Sequence, residues 1–332
     1  MLFIHEYPNW TRFRFNSQLV TKAIGEARLK QGLLLGCLYA LNSKLKDEAH
    51  GACLRLEILS SFEIDKHELK SVPPFVFDFY EKSLRYTDFS LSDTFIFGLY
   101  NQIFHKKINK WRQDPIYLGH YYKNSTHLEY KALAPDRISF EMQDFYKWFN
   151  DVSKDPILLA AISHFRLLTI RPFPTGNGRF ARFMSDIILA RSENSTQRFY
   201  SLSYEMLQNK EEYFQILQKS QSRDGDLTEW ILWFTEILKK SLDSSIQKYQ
   251  YILKQAQFWN NHSKSSFNSR QQTMLNYLLQ NLDTPVSTRF WAEKSKISQA
   301  TACRDINDLV QKGVLIKSDA SGRSTSYSLN MA

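Results

Sequence analysis

The sequence predicts a mainly α-helical protein with little sheet, and three observations predict it. Apolar residues recur at three- and four-residue spacing through most of the 332-residue chain. Polar–apolar alternation is confined to residues 126–132 and to the last stretch, 314–329. The chain is 43% hydrophobic and 14% aromatic, which supplies a sizeable core and excludes a disordered class.

An aromatic opening (Tyr7, Trp10, Phe13, Phe15) precedes a helix with Val20, Ile24, Ala27, Leu34 and Leu38 at helical spacing. A second helix is expected over 47–59, with Ala49, Cys53 and Leu56 on one face. Pro73 and Pro74 break the pattern and close an N-terminal helical domain, 1–75. A central domain, 90–245, reads as a run of helices. Ser139 is expected to cap one with Met142, Phe145, Tyr146 and Phe149 inward. Pro156 opens another along Ile157, Ala160, Ala161, His164 and Leu168. A third follows Gly178 with Phe180, Phe183, Met184 and Ile187 inward, and a fourth carries Leu227, Ile231, Phe234 and Leu238. Residues 126–132 read as a strand or hairpin arm.

The polar run 260–269 has the composition of a linker. Beyond it, 270–332 forms a separate unit. Met274, Leu275 and Leu278 mark one helix, and a second runs from Thr288 to near Ser295. Ser298 caps a third with Ala302, Ile306, Leu309 and Val310 inward, and Gly313 ends it. Two alternating strands follow, with Ser321, Gly322 and Arg323 at their tip. This order is that of a winged helix-turn-helix. Gln299, Thr301 and Arg304 would face a major groove and Arg323 a phosphate, so DNA or a protein surface is the expected partner. Eight Lys and Arg stand against five Asp and Glu in this unit.

The whole chain carries a formal charge of +9, which favours anionic partners. No apolar run approaches the length of a membrane span. The N-terminus has no basic segment leading into an apolar run, so no signal peptide is expected. Cys37, Cys53 and Cys303 are odd in number and lie in no paired motif, which excludes a disulfide framework and a zinc cluster and suits the reduced cytoplasm.

The chemistry concentrates in the segment from His164 to Arg182. Pro172 and Pro174 stop the preceding helix. Gly176 and Gly178 open backbone conformations closed to other residues. A helix starting near Arg179 would point its free N–H groups and positive dipole end into the turn, an arrangement that binds anions. Arg179 and Arg182, three apart, place two guanidinium forks beside it. His164 lies about 10 Å back along the helix, on its apolar face, and is expected to be a hydrogen-bonded core residue.

This segment resembles the motif of the Fic family, His-Pro-Phe-x-Asp/Asn-Gly-Asn-Gly-Arg-x-x-Arg, at Pro172, Phe173, Gly176, Asn177, Gly178, Arg179 and Arg182. The resemblance implies a Fic-type helical core with a small β-hairpin flap. It also implies AMP transfer from ATP to a hydroxyl of a target protein. Gly176, Asn177 and Gly178 would hold the α- and β-phosphates, Arg179 and Arg182 the β- and γ-phosphates, and Phe173 would anchor the loop. Leu128, Glu129 and Tyr130 would belong to the flap that pairs with the target. The N-terminal domain is similar to one of unknown function that precedes some bacterial Fic domains, on 31–36 and 59–61. The C-terminal unit resembles the winged helices appended to such proteins. Two positions depart from the motif. Arg171 replaces the histidine that acts as general base, and Thr175 replaces the acidic residue that holds Mg²⁺. Arginine stays protonated and accepts no proton, and losing a general base costs about 10²–10⁴-fold in rate. Impaired transfer and compromised Mg²⁺ binding are therefore expected. The alternatives are an active adenylyltransferase with another base and a transcriptional regulator on a Fic scaffold. Relatives carry an inhibitory helix with Ser or Thr followed at the fourth position by Glu, then Gly or Asn. Ser60 and Glu63 are the candidates for that role here. Expected partners are ATP or another nucleotide, a target protein, DNA or protein at the winged helix, and a second copy of the chain, with no membrane.

Overall fold

Asn16 accepts the Leu19 N–H and starts α1 (Ser17–Tyr39); Asn42 accepts the Leu45 N–H and starts α2 (Ser43–Ile64). The second helix exceeds the expected 47–59 at both ends, because Asn42 caps it early and Ile64, 2% exposed, still packs inward at its last turn. Pro73 and Pro74 end the connection and open α3 (Pro74–Ser83), and Ser92 caps α4 (Asp93–Phe104). Strands β1 (Tyr117–Tyr122) and β2 (Ser125–Lys131) form an antiparallel hairpin with an irregularity between Leu118 and Gly119. The structure is a computed structural model that describes residues 2–67, 69–86, 89–122, 125–151, 154–193, 195–263, 265–281, 284–318 and 325–330, without the side chains of 120–129.

A 3₁₀ turn (Pro135–Arg137) leads directly into α5 (Ile138–Phe149). Ser139, expected as a cap, therefore lies inside the first turn, where the 3₁₀ turn leaves no side-chain cap to make. Asp155 accepts the N–H groups of Ile157 and Leu158 and starts α6 (Pro156–Ile170). Next come α7 (Asn177–Ser192), α8 (Leu202–Gln208), α9 (Lys210–Gln221) and α10 (Thr228–Asn261). The chain ends with α11 (Ser269–Gln280), α12 (Thr288–Ser295), α13 (Gln299–Gln311) and a hairpin of β3 (Leu315–Lys317) and β4 (Tyr327–Leu329).

The chain divides into two compact units, residues 1–249 and 250–332. In the first, α6 is buried along almost its whole length and packs against α7 as the central pair. Residues expected as separate domains, 1–75 and 90–245, share this unit. Trp10 Nε1 donates to Glu141 at 3.0 Å, and the buried Glu57 of α2 accepts from Ser201 Oγ at 2.8 Å and the Ser203 N–H at 2.9 Å. Burial and the nearby Asp186 raise the Glu57 pKa above the usual carboxylate value.

The second unit begins inside α10, ahead of the polar run 260–269. Phe258 and Trp259 explain the difference, because they pack on the core of Met274, Leu275, Trp291 and Ile306. On α13, Gln299 and Arg304 are exposed, while Thr301 is half-buried with its hydroxyl 2.9 Å from Ser298 Oγ in the helix cap. Arg323 lies outside the described residues. Among the described residues no helix is long and apolar enough to cross a membrane.

Trp291 is completely buried in the small second core. Trp291→Ala should lower the stability of that unit by about 3–5 kcal/mol. Calorimetry of the full chain is expected to show one transition moved down and the other in place.

Candidate functional site

The turn between α6 and α7 is built by four local devices. Arg171 ends α6 in the left-handed region, at φ 49° and ψ 64°, with its N–H on Leu167 O. Gly176 precedes α7 at φ 71°, and a Cβ there would stand 2.5 Å from the Phe104 ring. Asn177 staples the loop: its Oδ1 accepts the Phe173 N–H at 3.0 Å and its Nδ2 donates to Phe173 O at 2.8 Å. Phe173 is fully buried and stacks on Tyr100 at a 3.9 Å centroid distance. The Asn177 carboxamide is thus taken by the loop, and its backbone N–H, with those of Gly178 and Arg179, is left to face an anion. The helix starts two residues before the expected Arg179, because Gly176 already turns the chain.

Arg112 braces this turn from outside. Its N–H donates to Pro172 O at 3.1 Å. Its side chain donates to Arg171 O at 2.7 Å, to Asp114 O at 2.6 Å and to Leu133 O. Nothing in the sequence marks Arg112, because the carbonyls of Leu133, Arg171 and Pro172 that it binds lie 21 to 60 positions away.

The two motif arginines meet a carboxylate. Asp65, in the turn after α2, accepts from Arg179 Nε at 3.1 Å and from Arg182 Nη2 at 3.0 Å. Arg182 also donates to Ser61 Oγ at 2.9 Å and Ser61 O at 2.6 Å. Its burial opposes its charge, but Asp65 and Tyr213 more than offset this, so its pKa lies above the usual value. Arg179 lies 4.6 Å and 4.8 Å from the Phe62 and Phe104 ring centroids. Glu63 is exposed and Ser60 is buried, and neither has a described bond to Arg182. The residues at the arginines are Ser61 and Asp65, which are themselves four apart. Lys66 follows at φ 60°, the backbone conformation that favours Gly or Asn at that place. The spacing was therefore readable from Ser61, with Asp in place of Glu.

Arg171 has its side chain at the same pocket but no such partner. Its Nε is sealed from solvent without a hydrogen bond among the described residues. Burial pulls its pKa down, and Tyr130, Tyr213 and Asp65 act against that shift. His164 is completely buried, 2.9 Å from Ser185 Oγ and 2.9 Å from Tyr213 OH. Burial lowers its pKa to about 3, which makes it a neutral core residue. Tyr130 lies in the hairpin strand β2, and its buried side chain anchors the hairpin to α6 through its hydroxyl on Thr169 O at 2.7 Å. The side chains of Leu128 and Glu129 lie outside the described residues. Thr175 is exposed, and its carbonyl accepts from Tyr100 OH at 3.1 Å.

A cavity of about 1330 Å³ is bounded by Asp65, Tyr130, Arg171, Gly178, Arg182 and Tyr213 among others. A smaller pocket of about 300 Å³ covers the loop itself, with Arg171, Thr175, Gly176, Gly178 and Arg179 in its wall. Magnesium does not fit these side chains. Thr175 offers a neutral hydroxyl, and Asp65 is occupied by two guanidinium groups.

Comparison with known proteins agrees with this geometry. Residues 90–189 match the Fic/DOC family model, 3–72 the domain of unknown function DUF4172, and 270–321 the DeoR-like helix-turn-helix domain. The central segment is a Fic/DOC-family domain, with a DUF4172 segment before it and a helix-turn-helix after it. Protein adenylyltransferase fic-1 of Caenorhabditis elegans is 29% identical over 140 residues, 41% of this chain and 25% of that protein. Protein adenylyltransferase Fic of Nematostella vectensis is 30% identical over 116 residues, 33% of this chain and 25% of that one. The chain thus matches about a quarter of the length of these relatives. A solved Fic family protein from Desulfovibrio desulfuricans G20 shares the fold at TM-score 0.52, with 13% identity over 95% of this chain and 97% of the other. Solved Fic-1 of C. elegans does so at TM-score 0.51, with 20% identity over 71% and 74%.

Two outcomes test the site as architecture. Gly176→Ala should cost about 1–3 kcal/mol in a denaturant titration, through a strained φ and the Phe104 overlap. His164 stays neutral in the fold down to about pH 3, whereas the unfolded residue takes a proton near pH 6.5. Its contribution is complete above pH 6.5 and is lost as pH falls towards 3, by up to about 1.4 kcal/mol per pH unit. His164→Gln should flatten the fall in stability between pH 7 and pH 5.

Proposed function

We propose that this chain is a nucleotide-phosphate-binding protein on the Fic/DOC scaffold, held closed by Asp65 and poorly equipped for adenylyl transfer. The observation that carries this reading is the Asp65 bridge to Arg179 and Arg182 at the first turn of α7. Two guanidinium groups converge on one carboxylate beside the N-terminal amides of a helix, where phosphate oxygens would otherwise sit. The relatives named adenylyltransferases support ATP as the nucleotide. They also support a protein as the acceptor in an active form of the site.

The chain's own groups explain the low expected activity. Attack by a hydroxyl on the α-phosphate needs an acceptor for its proton. Arg171, in the place of the family's base, holds a full set of protons and can only stabilise negative charge. His164 is neutral but is enclosed by Ser185 and Tyr213 and does not reach the pocket as a base. Asp65 occupies both arginines that a triphosphate would need. The exposed Gln299 and Arg304 of α13 support DNA or protein recognition by the second unit, so the chain reads as a regulator with a nucleotide-responsive body.

The test is a transfer assay with labelled ATP and Mg²⁺ on the full chain. Wild type is expected to give at most background labelling. Combining Asp65→Ala, Arg171→His and Thr175→Asp should restore the arginines, the base and the metal carboxylate, and raise labelling by about 10²-fold or more. Wild-type labelling as strong as that of the triple variant would overturn the reading.

A further inference from the structure

We infer that the pocket over the loop is a monophosphate site, in which Arg171 and the first amides of α7 bind the phosphate of a nucleoside monophosphate while Asp65 remains on Arg179 and Arg182. This rests on the nucleotide-phosphate reading above and adds which phosphate ester the closed state takes, and through which residue.

Arg171 is the cation this pocket leaves unmatched. Its Nε is buried without a partner, and no ion pair holds it among the described residues. The nearby carboxylate, Asp65, already accepts from both other guanidinium groups. The residue is partly buried, so its charge is only partly hydrated, and an anion in the pocket would supply the partner its Nε lacks. Arg112 on the Arg171 carbonyl holds its backbone in place at the end of α6.

Position and charge then select the ligand. Arg171 lines both the small pocket and the large cavity, which also share Asp65, Leu118 and Gly178. A phosphate in the small pocket meets the Arg171 fork and the Gly178 and Arg179 amides, and an attached nucleoside has the large cavity beside it. Arg171, Arg179 and Arg182 carry three positive charges against the one negative charge of Asp65, and Lys66 and Lys210 balance Glu211 and Glu212 in the wall of the large cavity. The remaining two match a phosphomonoester, whose charge near neutrality is about −1.5 to −2. The further phosphates of a triphosphate would have to displace Asp65 from Arg179 and Arg182.

Calorimetric titration of the full chain with AMP, ATP and inorganic phosphate tests this. Wild type should bind AMP at least about tenfold more tightly than ATP or phosphate. Arg171→Gln should lose AMP affinity by about tenfold or more, and Arg171→Lys, which keeps the charge without the fork, should fall between. Asp65→Ala should gain ATP affinity. Undiminished AMP binding by folded Arg171→Gln, or equal affinity of wild type for ATP and AMP, overturns the inference. Phosphate binding as tight as AMP binding also overturns it, because a bare anion site then suffices. If Asp65→Ala binds ATP while AMP ignores Arg171, this inference falls and the nucleotide-phosphate reading stands. If neither wild type nor Asp65→Ala binds any nucleotide, both fall.

Discussion

Reversal of the chain between two buried helices constrains the rest of this molecule. Helices α6 and α7 are the central pair of the first unit, and only residues 171–176 connect them. The first half of this short turn, Pro172 and Phe173, is buried, so its backbone polar groups need protein partners. The partners come from Asn177 within the loop and Arg112 outside it. Two residues take left-handed backbone, Arg171 and Gly176, and Phe173 is driven into the aromatic cluster of Tyr100 and Phe180. Once the turn is fixed, α7 must point its N-terminal amides into a cavity. The anion site is a consequence of how the two helices are joined.

The same packing explains why α2 matters to the site. Burying Arg182 to 2% exposure requires a counter-charge, and the core of a Fic/DOC domain supplies none of its own here. Asp65, in the turn after α2, provides it, and the Ser61 carbonyl adds a hydrogen bond. Glu57, two turns earlier, binds α2 to the Ser201–Ser203 segment. The N-terminal segment is therefore part of the central fold, and the closed state of the site is the stable state of the core. On the proposed reading, an incoming polyphosphate would have to replace a partner that also holds the structure together.

Arg171 changes what such a site can do. A proton acceptor at this position would make the adjoining phosphate loop reactive. A guanidinium there is permanently charged and adds one more anchor for a phosphate oxygen. Within the same pocket, Thr175 carries no charge for a divalent ion. Binding capacity and reactivity are separable properties of this loop, because different residues of the motif supply them.

The helical class, the order of the segments and the turn between α6 and α7 were legible in the sequence, because these rest on local rules. Helical spacing, proline stops and glycine conformations act over a few residues and are visible without the fold. The chemistry of Arg171 is also local, since an arginine cannot be a base in any setting. His164 was readable as a core residue from its apolar face. Other features depended on residues brought together from far along the chain. Asp65 reaches Arg182 across 117 positions, and Arg112 reaches Arg171 across 59. The Ser61–Asp65 spacing is present in the sequence beside Ser60 and Glu63, and the length of α2 sets which of these residues reach the arginines. Ser139 lost its cap to a 3₁₀ turn, and the Tyr130 side chain found its partner on α6, for the same reason. Tertiary packing decides which of several suitable side chains stands within hydrogen-bond distance, and periodicity carries no information about that distance.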